Sequence, residues 1–262
     1  MSTDPAASYA LFTGRFSEAL APVFADEVAP DAGETVLDVG CGPGALTAVL
    51  VDRLGAAAVS AVDPSAAYVA AARARLPGVD VRLGSAEDLP HGDDSVDVAV
   101  AALVVHFMSD PVAGLREMAR VTRPGGRVAA CVWDNAGGHG PLSPLWRAAQ
   151  ELDPHVRDES GAAGAGAGQL AELARRAGLA DVRSSRLELT VSFSSFEEWW
   201  QPLALGVGSG GAFVQTLDEP RRADLRGRLE AALGPAPFRA PVAAWSVVAR
   251  VGRSAAQRAQ EP

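Results

Sequence analysis

Lysine is missing from this sequence of 262 residues, so all 23 basic residues are arginine. Together with the 27 glycines and 18 prolines, we interpret this absence as the compositional bias of a GC-rich genome. It also removes the Tyr–Lys type of catalytic pair expected of many nicotinamide-dependent oxidoreductases. The two cysteines, Cys41 and Cys131, are too few for a disulfide framework.

Several kinds of segment and charge pattern are also absent. No uncharged apolar run reaches the roughly 20 residues that a membrane span requires. No basic segment followed by an apolar one marks a signal peptide, so we expect a cytoplasmic protein. The formal net charge of -9 disfavours nucleic acids and anionic membranes as partners. No pattern indicates an oligomeric state.

Metal binding is not predicted either. The ligands of structural and catalytic metals recur at short, regular spacings. The four histidines are instead scattered along the chain, at His91, His106, His139 and His155.

Strand-like and helix-like segments alternate from about residue 35. Hydrophobic residues make up 48% of the sequence, enough for a sizeable core in one domain. Short apolar runs predict buried strands at residues 35–39, 57–62, 79–83, 96–101 and 127–133. The helical segments between them indicate βαβ units and a parallel sheet.

The second half of the chain has a less regular pattern. Its composition predicts a flexible linker or mobile loop at residues 161–168 (GAAGAGAG). Further strands are expected at residues 182–193 and 245–251. Residues 195–233 have a helical pattern that is interrupted at residues 206–211.

The most specific local pattern is VLDVGCGPG at residues 36–44, at a predicted strand-to-helix junction. Gly40, Gly42 and Gly44 let the backbone turn tightly and approach a ligand closely. They also fit the dinucleotide-binding fingerprint, so alone they leave two cofactor classes open. The carboxylate of Asp38 separates the classes, because it repels a pyrophosphate and attracts the ammonium group of S-adenosylmethionine. The alternative is that Asp38 only satisfies turn amides.

Asp63 ends the next predicted strand and is followed by Pro64 and Ser65. A carboxylate at the tip of this strand can accept hydrogen bonds from both hydroxyls of a ribose. Both cofactor classes contain a ribose, so this residue does not distinguish them. The alternative is that these three residues form only a helix-entry turn.

Three later blocks complete a resemblance to the class I S-adenosylmethionine-dependent methyltransferases. The chain resembles their small-molecule group with a methyltransferase type 11 domain, which is related to ubiquinone and menaquinone methyltransferases. The later blocks are residues 84–90 (GSAEDLP), 94–100 (DSVDVAV) and 117–126 (EMARVTRPGG). Together with the glycine loop at residues 36–44 and the segment at residues 62–65, these blocks extend the resemblance over about residues 30 to 135, in the family's order and spacing.

The resemblance implies a Rossmann-like α/β fold with a seven-stranded, mostly parallel sheet. Its implied strand order is 3-2-1-4-5-7-6, with strand 7 antiparallel, helices on both faces and a helical cap insertion. We therefore expect one methyltransferase domain over residues 1–262. Within it, residues 31–134 would form the cofactor-binding core and residues 194–240 the cap insertion.

The resemblance also implies which residues bind S-adenosylmethionine. They are Asp38, Gly40, Gly42 and Gly44 at the methionine portion, Asp63 and Pro64 at the ribose, Ser85, Ala86 and Glu87 around the adenine, and Leu103 near the sulfonium. Many relatives have an aspartate where this chain has Ser85, and a hydroxyl is a weaker, neutral acceptor. Glu87 and Asp88 are alternative acceptors.

The amino-terminal string YALFTGRF, residues 9–16, resembles the segment that folds over the cofactor in this group. Residues 1–30 are accordingly predicted to form cofactor-covering helices. Arg15 is a candidate partner for the cofactor carboxylate. The alternative is a packing helix with a solvated arginine.

Methyl transfer from a sulfonium is an in-line displacement of an activated leaving group, so the protein mainly contributes alignment and exclusion of water. A base is needed only where the acceptor must lose a proton. His106, which follows the fourth predicted strand, is the main candidate. Asp134 and His139 are weaker candidates, and the alternative for His106 is a packed histidine.

An acceptor pocket is expected between residues 133–146 and the insertion at residues 193–238. Four aromatic residues of the insertion either line an apolar cavity or pack the cap onto the sheet: Phe196, Trp199, Trp200 and Phe213. Residues 206–211 are interpreted as a hinge. The predicted function is methyl transfer to a small molecule. Its alternatives are a non-catalytic relative that binds the cofactor and a nicotinamide-dependent oxidoreductase.

Overall fold

Seven strands form one sheet in the computed structural model, which describes residues 13–252. The sheet order is β3-β2-β1-β4-β5-β7-β6, as predicted. The strands are β1 (Val36–Val39), β2 (Val59–Asp63), β3 (Asp80–Leu83), β4 (Val96–Ala102), β5 (Thr122–Trp133), β6 (Ala180–Phe193) and β7 (Phe238–Arg250). Strands β1 to β5 are parallel, and β7 runs antiparallel to both β5 and β6.

Helices cover both faces of the sheet. They are α1 (Thr13–Val28), α2 (Ala45–Leu54), α3 (Ala66–Arg75), α4 (Pro111–Val121), α5 (Ser143–Leu152), α6 (Gln169–Arg176), α7 (Phe196–Ala204), α8 (Gly208–Thr216) and α9 (Glu219–Leu233). One face buries residues of α1, α2, α3, α5 and α7 to α9, and the other buries residues of α4 and α6. This arrangement confirms the predicted Rossmann-like fold. No described helix is long and apolar enough to cross a membrane.

Local sequence explains why several helices begin where they do. The Ser65 side chain accepts a hydrogen bond from Tyr68 N–H at the start of α3. Asp110 accepts from two amides at the start of α4, where Pro111 occupies the first helical position. Such caps satisfy amides that have no partner within the helix. They fix the helix starts that follow β2 and β4, which are the strand ends at which the candidate site lies.

The glycine-rich stretch at residues 161–168 is buried against the protein at its middle residues, 164–166, so the prediction of a flexible linker was wrong there. Ala165 is completely buried, and its carbonyl accepts a hydrogen bond from Ala136 N–H at 3.2 Å. A Cβ on Gly164 would lie 3.4 Å from side-chain atoms of Val132 and Leu170. The small residues therefore allow close packing beside β5. Composition alone does not report such a contact.

Part of the segment predicted as a hinge, residues 206–211, is helical in the structure. The chain turns at Gly206, but α8 already begins at Gly208 and includes Gly210 and Gly211. A Cβ on Gly210 would lie 2.7 Å from Leu145 Cδ2 of α5. Gly210 thus permits the close approach of α8 to α5. The segment from Gly208 onward is helical, and a hinge at residues 206–211 stays a prediction.

Candidate functional site

The glycine loop connects β1 to α2 at the carboxyl edge of the sheet. Gly40, Gly42 and Gly44 have φ values of +71°, +53° and +89°, which side chains disfavour. A Cβ on Gly40 would lie 2.5 Å from Val104 Cγ2, in the segment after β4. Gly40 N–H donates to the Val62 carbonyl at 2.7 Å. The loop is thus held between the ends of β2 and β4.

Asp63 ends β2 with a carboxylate that faces this loop. One oxygen accepts from Gly42 N–H and the other from Ser65 N–H, both at 2.8 Å. Burial raises the pKa of Asp63, and these two hydrogen bonds oppose the shift. A carboxylate has about four acceptor positions, so the group retains capacity for further donors such as ribose hydroxyls. Pro64 is exposed beside it.

Asp38 lies inside β1 and is only 1% exposed. One of its oxygens accepts a hydrogen bond from the Thr47 hydroxyl of α2 at 2.6 Å. Burial raises the pKa of Asp38 to about 7, and the nearby Asp63 adds to the shift. A buried carboxylate of this kind gains most from a neighbouring cation, because a positive charge would favour its ionised form.

Leu103 follows β4 and borders a small cavity of about 30 Å³ together with Asp38 and Cys41. Its φ is +62°, which is uncommon for any residue other than glycine. Its N–H donates to the Cys131 carbonyl at 2.8 Å, which holds the strained residue against β5. The carboxyl ends of β1 and β4 therefore meet around one small recess.

The predicted adenine residues lie on the segment that follows β3. Ala86 is buried, whereas Ser85 and Glu87 are half-buried. The Glu87 carboxylate accepts a hydrogen bond from Ser109 N–H at 2.7 Å, so it secures the loop before α4. The predicted contacts of Glu87 and Ser85 with the adenine stay predictions.

His106 lies in a one-turn helix directly after β4. Burial lowers the pKa of His106 to about 4, so the imidazole is neutral at pH 7. Its Nδ1 atom is buried without a hydrogen-bond partner. A neutral imidazole can accept a proton, but with this pKa it is a weak base. The structure places the ring in the wall of a large cavity.

This cavity has a volume of about 680 Å³ and spans the carboxyl edge of the sheet. Tyr68, His106 and Trp133 contribute to its wall from the segments that follow or end β2, β4 and β5. Residues from the loop after α5 and from the start of α8 close it on another side, including Asp158, Glu159, Val207 and Ser209. Ligands of open α/β sheets bind at this edge. Sequence patterns did not identify Tyr68 or Glu159, which neighbour the site only in three dimensions.

The four aromatic residues predicted near the pocket pack the cap, and none of them lines this cavity. Trp199 is completely buried, and the Phe196 and Trp200 rings stack with centroids 6.1 Å apart. Phe213 packs on Trp146 of α5 at 5.5 Å. Of the two alternatives for these residues, lining a cavity or packing the cap, the structure shows packing.

Asp134, a weaker candidate base, is held by four donors. They are Gly137 N–H (3.0 Å), Trp245 Nε1 (3.0 Å), Arg186 Nε (3.2 Å) and His139 Nδ1 (3.0 Å). Burial alone would raise the pKa of Asp134, but these partners hold it below the ordinary value. The His139 ring is half exposed and does not line the 680 Å³ cavity. This cluster joins β5, β6 and β7 and is a poor proton acceptor.

Arg15 lies on α1 and contacts the cap. Its guanidinium pairs with Glu198 of α7 at 2.7 Å and lies over the Phe193 ring at 4.8 Å. The carboxylate partner present in the structure is therefore a side chain, and a cofactor contact by Arg15 stays a prediction. Residues 9–12 of the predicted covering segment lie outside the described residues, as does the rest of residues 1–12.

The donor set fits S-adenosylmethionine better than a dinucleotide. Asp38 and Asp63 are buried carboxylates at neighbouring strand ends, where a pyrophosphate would be repelled and an ammonium or a ribose would be favoured. Among residues 13–252, no group of three His, Cys, Asp or Glu side chains is placed to hold a metal ion.

Comparison with known proteins agrees with this reading. Residues 37–130 match the family model of a methyltransferase domain. An uncharacterised methyltransferase of Mycobacterium tuberculosis is 42% identical over 113 residues, or 43% of this chain and 45% of that protein. A demethylmenaquinone methyltransferase of Clavibacter sepedonicus is 36% identical over 128 residues, which are 48% of this chain and 49% of that protein. The chain thus spans about half the length of the curated relatives it matches.

Solved structures share the fold at low sequence identity. The Bacillus subtilis YcgJ protein superposes with a TM-score of 0.57 and 18% identity, covering 89% of this chain and 98% of that chain. Geranyl diphosphate C-methyltransferase from Streptomyces coelicolor superposes with a TM-score of 0.53 and 15% identity, covering 90% of this chain and 80% of that chain. The matched domain over residues 37–130, the strand order and the acidic glycine loop support a class I S-adenosylmethionine-dependent methyltransferase fold.

Proposed function

We propose that this chain transfers the methyl group of S-adenosylmethionine to a small-molecule acceptor bound in the 680 Å³ cavity. The observation that carries the proposal is the adjacency of two features. The glycine loop with its buried Asp38 and Asp63 lies at the same sheet edge as the wall formed by His106 and Trp133. A cofactor site and an acceptor site must adjoin for an in-line transfer.

In this proposal the chain's own residues bind and orient the reactants. Asp38 and the loop backbone at Gly40 and Gly42 hold the methionine portion, and Asp63 holds the ribose. Leu103 offers backbone near the reacting centre. When bound, S-adenosylmethionine supplies an electrophilic methyl group on a good leaving group. The cavity wall would exclude water from that centre.

His106 is proposed as the general base for acceptors that must lose a proton. Its imidazole is neutral at pH 7 because burial lowers its pKa to about 4. The buried, unpartnered Nδ1 atom shows that the ring is not already committed to a structural hydrogen bond there. Acceptors that react as neutral amines or thiolates would not need this residue, so its importance depends on the acceptor.

Titration calorimetry with S-adenosylmethionine tests the cofactor half of the proposal. We expect binding that Asp63→Ala weakens by at least about tenfold, since a hydrogen bond to a charged group contributes roughly 1.5–3 kcal/mol. Asp153→Asn, a change on an exposed loop, serves as the matched control. No binding at millimolar ligand, or tighter binding of a nicotinamide dinucleotide, would overturn the assignment.

Transfer of a labelled methyl group tests the catalytic half. The protein is incubated with a metabolite extract and labelled cofactor, and products are identified by mass spectrometry. We expect a labelled small molecule whose formation requires Asp63. Cofactor binding without any labelled product would instead favour a non-catalytic relative.

A further inference from the structure

The 680 Å³ cavity combines aromatic and apolar surface with two carboxylates. Phe107, Trp133, Leu142 and Val207 supply the apolar part of its lining. Phe107 is 79% exposed, so an apolar ring is available at the cavity surface. Aromatic faces attract cations as well as apolar groups. The lining therefore suits a molecule with an apolar or aromatic body.

The two carboxylates belong to Asp158 and Glu159, in the loop between α5 and α6, and both residues are half-buried. A hydrogen bond from the Ser160 hydroxyl holds the pKa of Asp158 below its ordinary value, so this group is ionised at neutral pH. Glu159 Oε1 accepts from the Ser209 hydroxyl of α8 at 2.5 Å. Its other oxygen lies 3.5 Å from Asn135 Nδ2. These partners fix the carboxylate in the wall between α8 and the end of β5.

The partners of Glu159 are neutral, so its negative charge is not compensated by them. Among the described residues that line the cavity, none is arginine, and the sequence has no lysine. His106 is uncharged at pH 7 because burial lowers its pKa to about 4. Arg147 lines a small adjoining cavity of about 40 Å³ together with Asp158 and Glu159, but its guanidinium donates to the Gly138 carbonyl and makes no ion pair within 4 Å with either carboxylate. The large cavity consequently has a negative lining.

We propose that the methyl acceptor carries a cationic group, of the protonated-amine class, on an apolar or aromatic body, and that Glu159 binds that group. The proposal rests on the proposed function, because it concerns the acceptor of that reaction. An ammonium would satisfy the remaining acceptor positions of the Glu159 carboxylate, and the aromatic lining would contact the rest of the molecule. Carboxylate- or phosphate-bearing acceptors would be repelled.

A matched series of probes tests this assignment by calorimetry at pH 7 with saturating S-adenosylhomocysteine. The probes are tryptamine, tryptophol and indole-3-propionate, and the corresponding phenyl compounds phenethylamine, 2-phenylethanol and 3-phenylpropionate. Within each series the body is constant and the end group is cationic, neutral or anionic. We expect the amine to bind roughly tenfold more tightly than the alcohol, and the carboxylate to bind least.

Variants then locate the charge that is responsible. Glu159→Gln keeps the shape and should remove most of the preference for the amine over the alcohol. Its affinity for S-adenosylhomocysteine should stay within about twofold of the parent protein. Glu172→Gln, on the exposed surface of α6, is the control and should keep the full preference.

The possible outcomes separate this inference from the function on which it rests. Failure to bind S-adenosylhomocysteine overturns the proposed function itself. Binding of S-adenosylhomocysteine without an amine preference in either series, or with a carboxylate preference, overturns the inference alone. A loss of S-adenosylhomocysteine affinity in Glu159→Gln would place this residue in the cofactor site and likewise overturn it.

Discussion

Asp38 and Asp63 lie on neighbouring strands, yet their environments differ. Asp63 accepts hydrogen bonds from two backbone N–H groups, whereas Asp38 accepts one from the Thr47 hydroxyl. Burial raises the pKa of Asp38 to about 7, far above the ordinary value near 3.9. Between those two pH values the folded protein binds more protons than the unfolded chain. Ionisation of Asp38 therefore costs stability as pH rises from about 4 to about 7.

The same property predicts how cofactor affinity depends on pH. A cationic ligand beside Asp38 favours the ionised carboxylate, so below pH 7 binding must be accompanied by proton release. We expect affinity for S-adenosylmethionine to rise by up to about tenfold per pH unit between pH 5.5 and 7. Calorimetry at pH 6 in buffers of different ionisation enthalpy measures the released proton directly.

Asp38→Asn is the control for this pH dependence. It should bind the cofactor more weakly at pH 7 and release less of a proton at pH 6 than the parent protein does. Affinity that is constant from pH 5.5 to 7 in the parent protein would show that Asp38 does not face the bound cation.

His106 illustrates how burial limits a sequence-based assignment. The ordinary pKa of histidine suits acid–base chemistry at neutral pH. Burial instead lowers the pKa of His106 to about 4. For an acceptor that must lose a proton, we expect His106→Gln to reduce kcat by up to roughly 100-fold, with little change in cofactor affinity. An unchanged kcat measured with the identified acceptor would assign His106 a packing role.

At the scale of elements, α8 determines how closely the cap approaches the acceptor cavity. Gly210 is buried where α8 meets α5, and a Cβ there would lie 2.7 Å from Leu145 Cδ2 and 2.9 Å from Leu142 Cδ2. The preceding residues, Val207 to Ser209, line the cavity. The packing of α8 therefore also sets the position of one cavity wall.

Two glycine substitutions test this packing. Gly210→Ala should lower the free energy of unfolding by roughly 1–3 kcal/mol, because an added methyl group overpacks the α5–α8 contact. At Gly227 in α9, an added Cβ would have no neighbour within 4 Å. Gly227→Ala should therefore raise the free energy of unfolding by roughly 0.5–1 kcal/mol. Urea unfolding of both variants measures the contrast. Equal effects of the two changes would mean that α8 is not closely packed on α5.

At the scale of the whole molecule, the site joins two parts of the chain that are distant in sequence. The glycine loop and the acidic strand ends come from β1 to β4, whereas part of the cavity wall comes from α8, between β6 and β7. The antiparallel pairing of β7 with β5 brings the later segments to the same sheet edge. Ligand binding should therefore stabilise the fold as a unit.

Thermal unfolding tests this coupling. S-adenosylhomocysteine at about 100 times its Kd should add roughly 2.7 kcal/mol to the free energy of unfolding. For a domain of this size that corresponds to a rise in Tm of roughly 5–10 °C. At the same ligand concentration Asp63→Ala should show a much smaller rise, and Glu172→Gln the full one. A full rise in Asp63→Ala would contradict the assignment of this carboxylate to the ribose.

The sequence alone determined the positions of the first five strands and the cofactor loop, and the family resemblance that it carries implied the strand order and the class of cofactor. The strand positions and the loop are encoded locally, because buried strands are apolar runs, tight turns need glycine, and the acidic residues flank them in the chain. The same local reasoning failed at residues 164–166 and did not reveal the contact at Gly210, where small residues serve close packing. That role depends on neighbours such as Val132 and Leu145, which are remote in sequence.

Only the tertiary structure decided the environment of each functional group. It placed His106 half-buried in a cavity wall, gave the Arg15 side chain a partner on α7, and packed the cap aromatic residues into the core. It also brought Glu159 to the same cavity as Trp133 and Ser209. Burial and proximity in space come from the packing of elements, and no spacing within a single segment encodes them. The cofactor loop was therefore readable from the sequence, whereas the charge of the acceptor cavity was not.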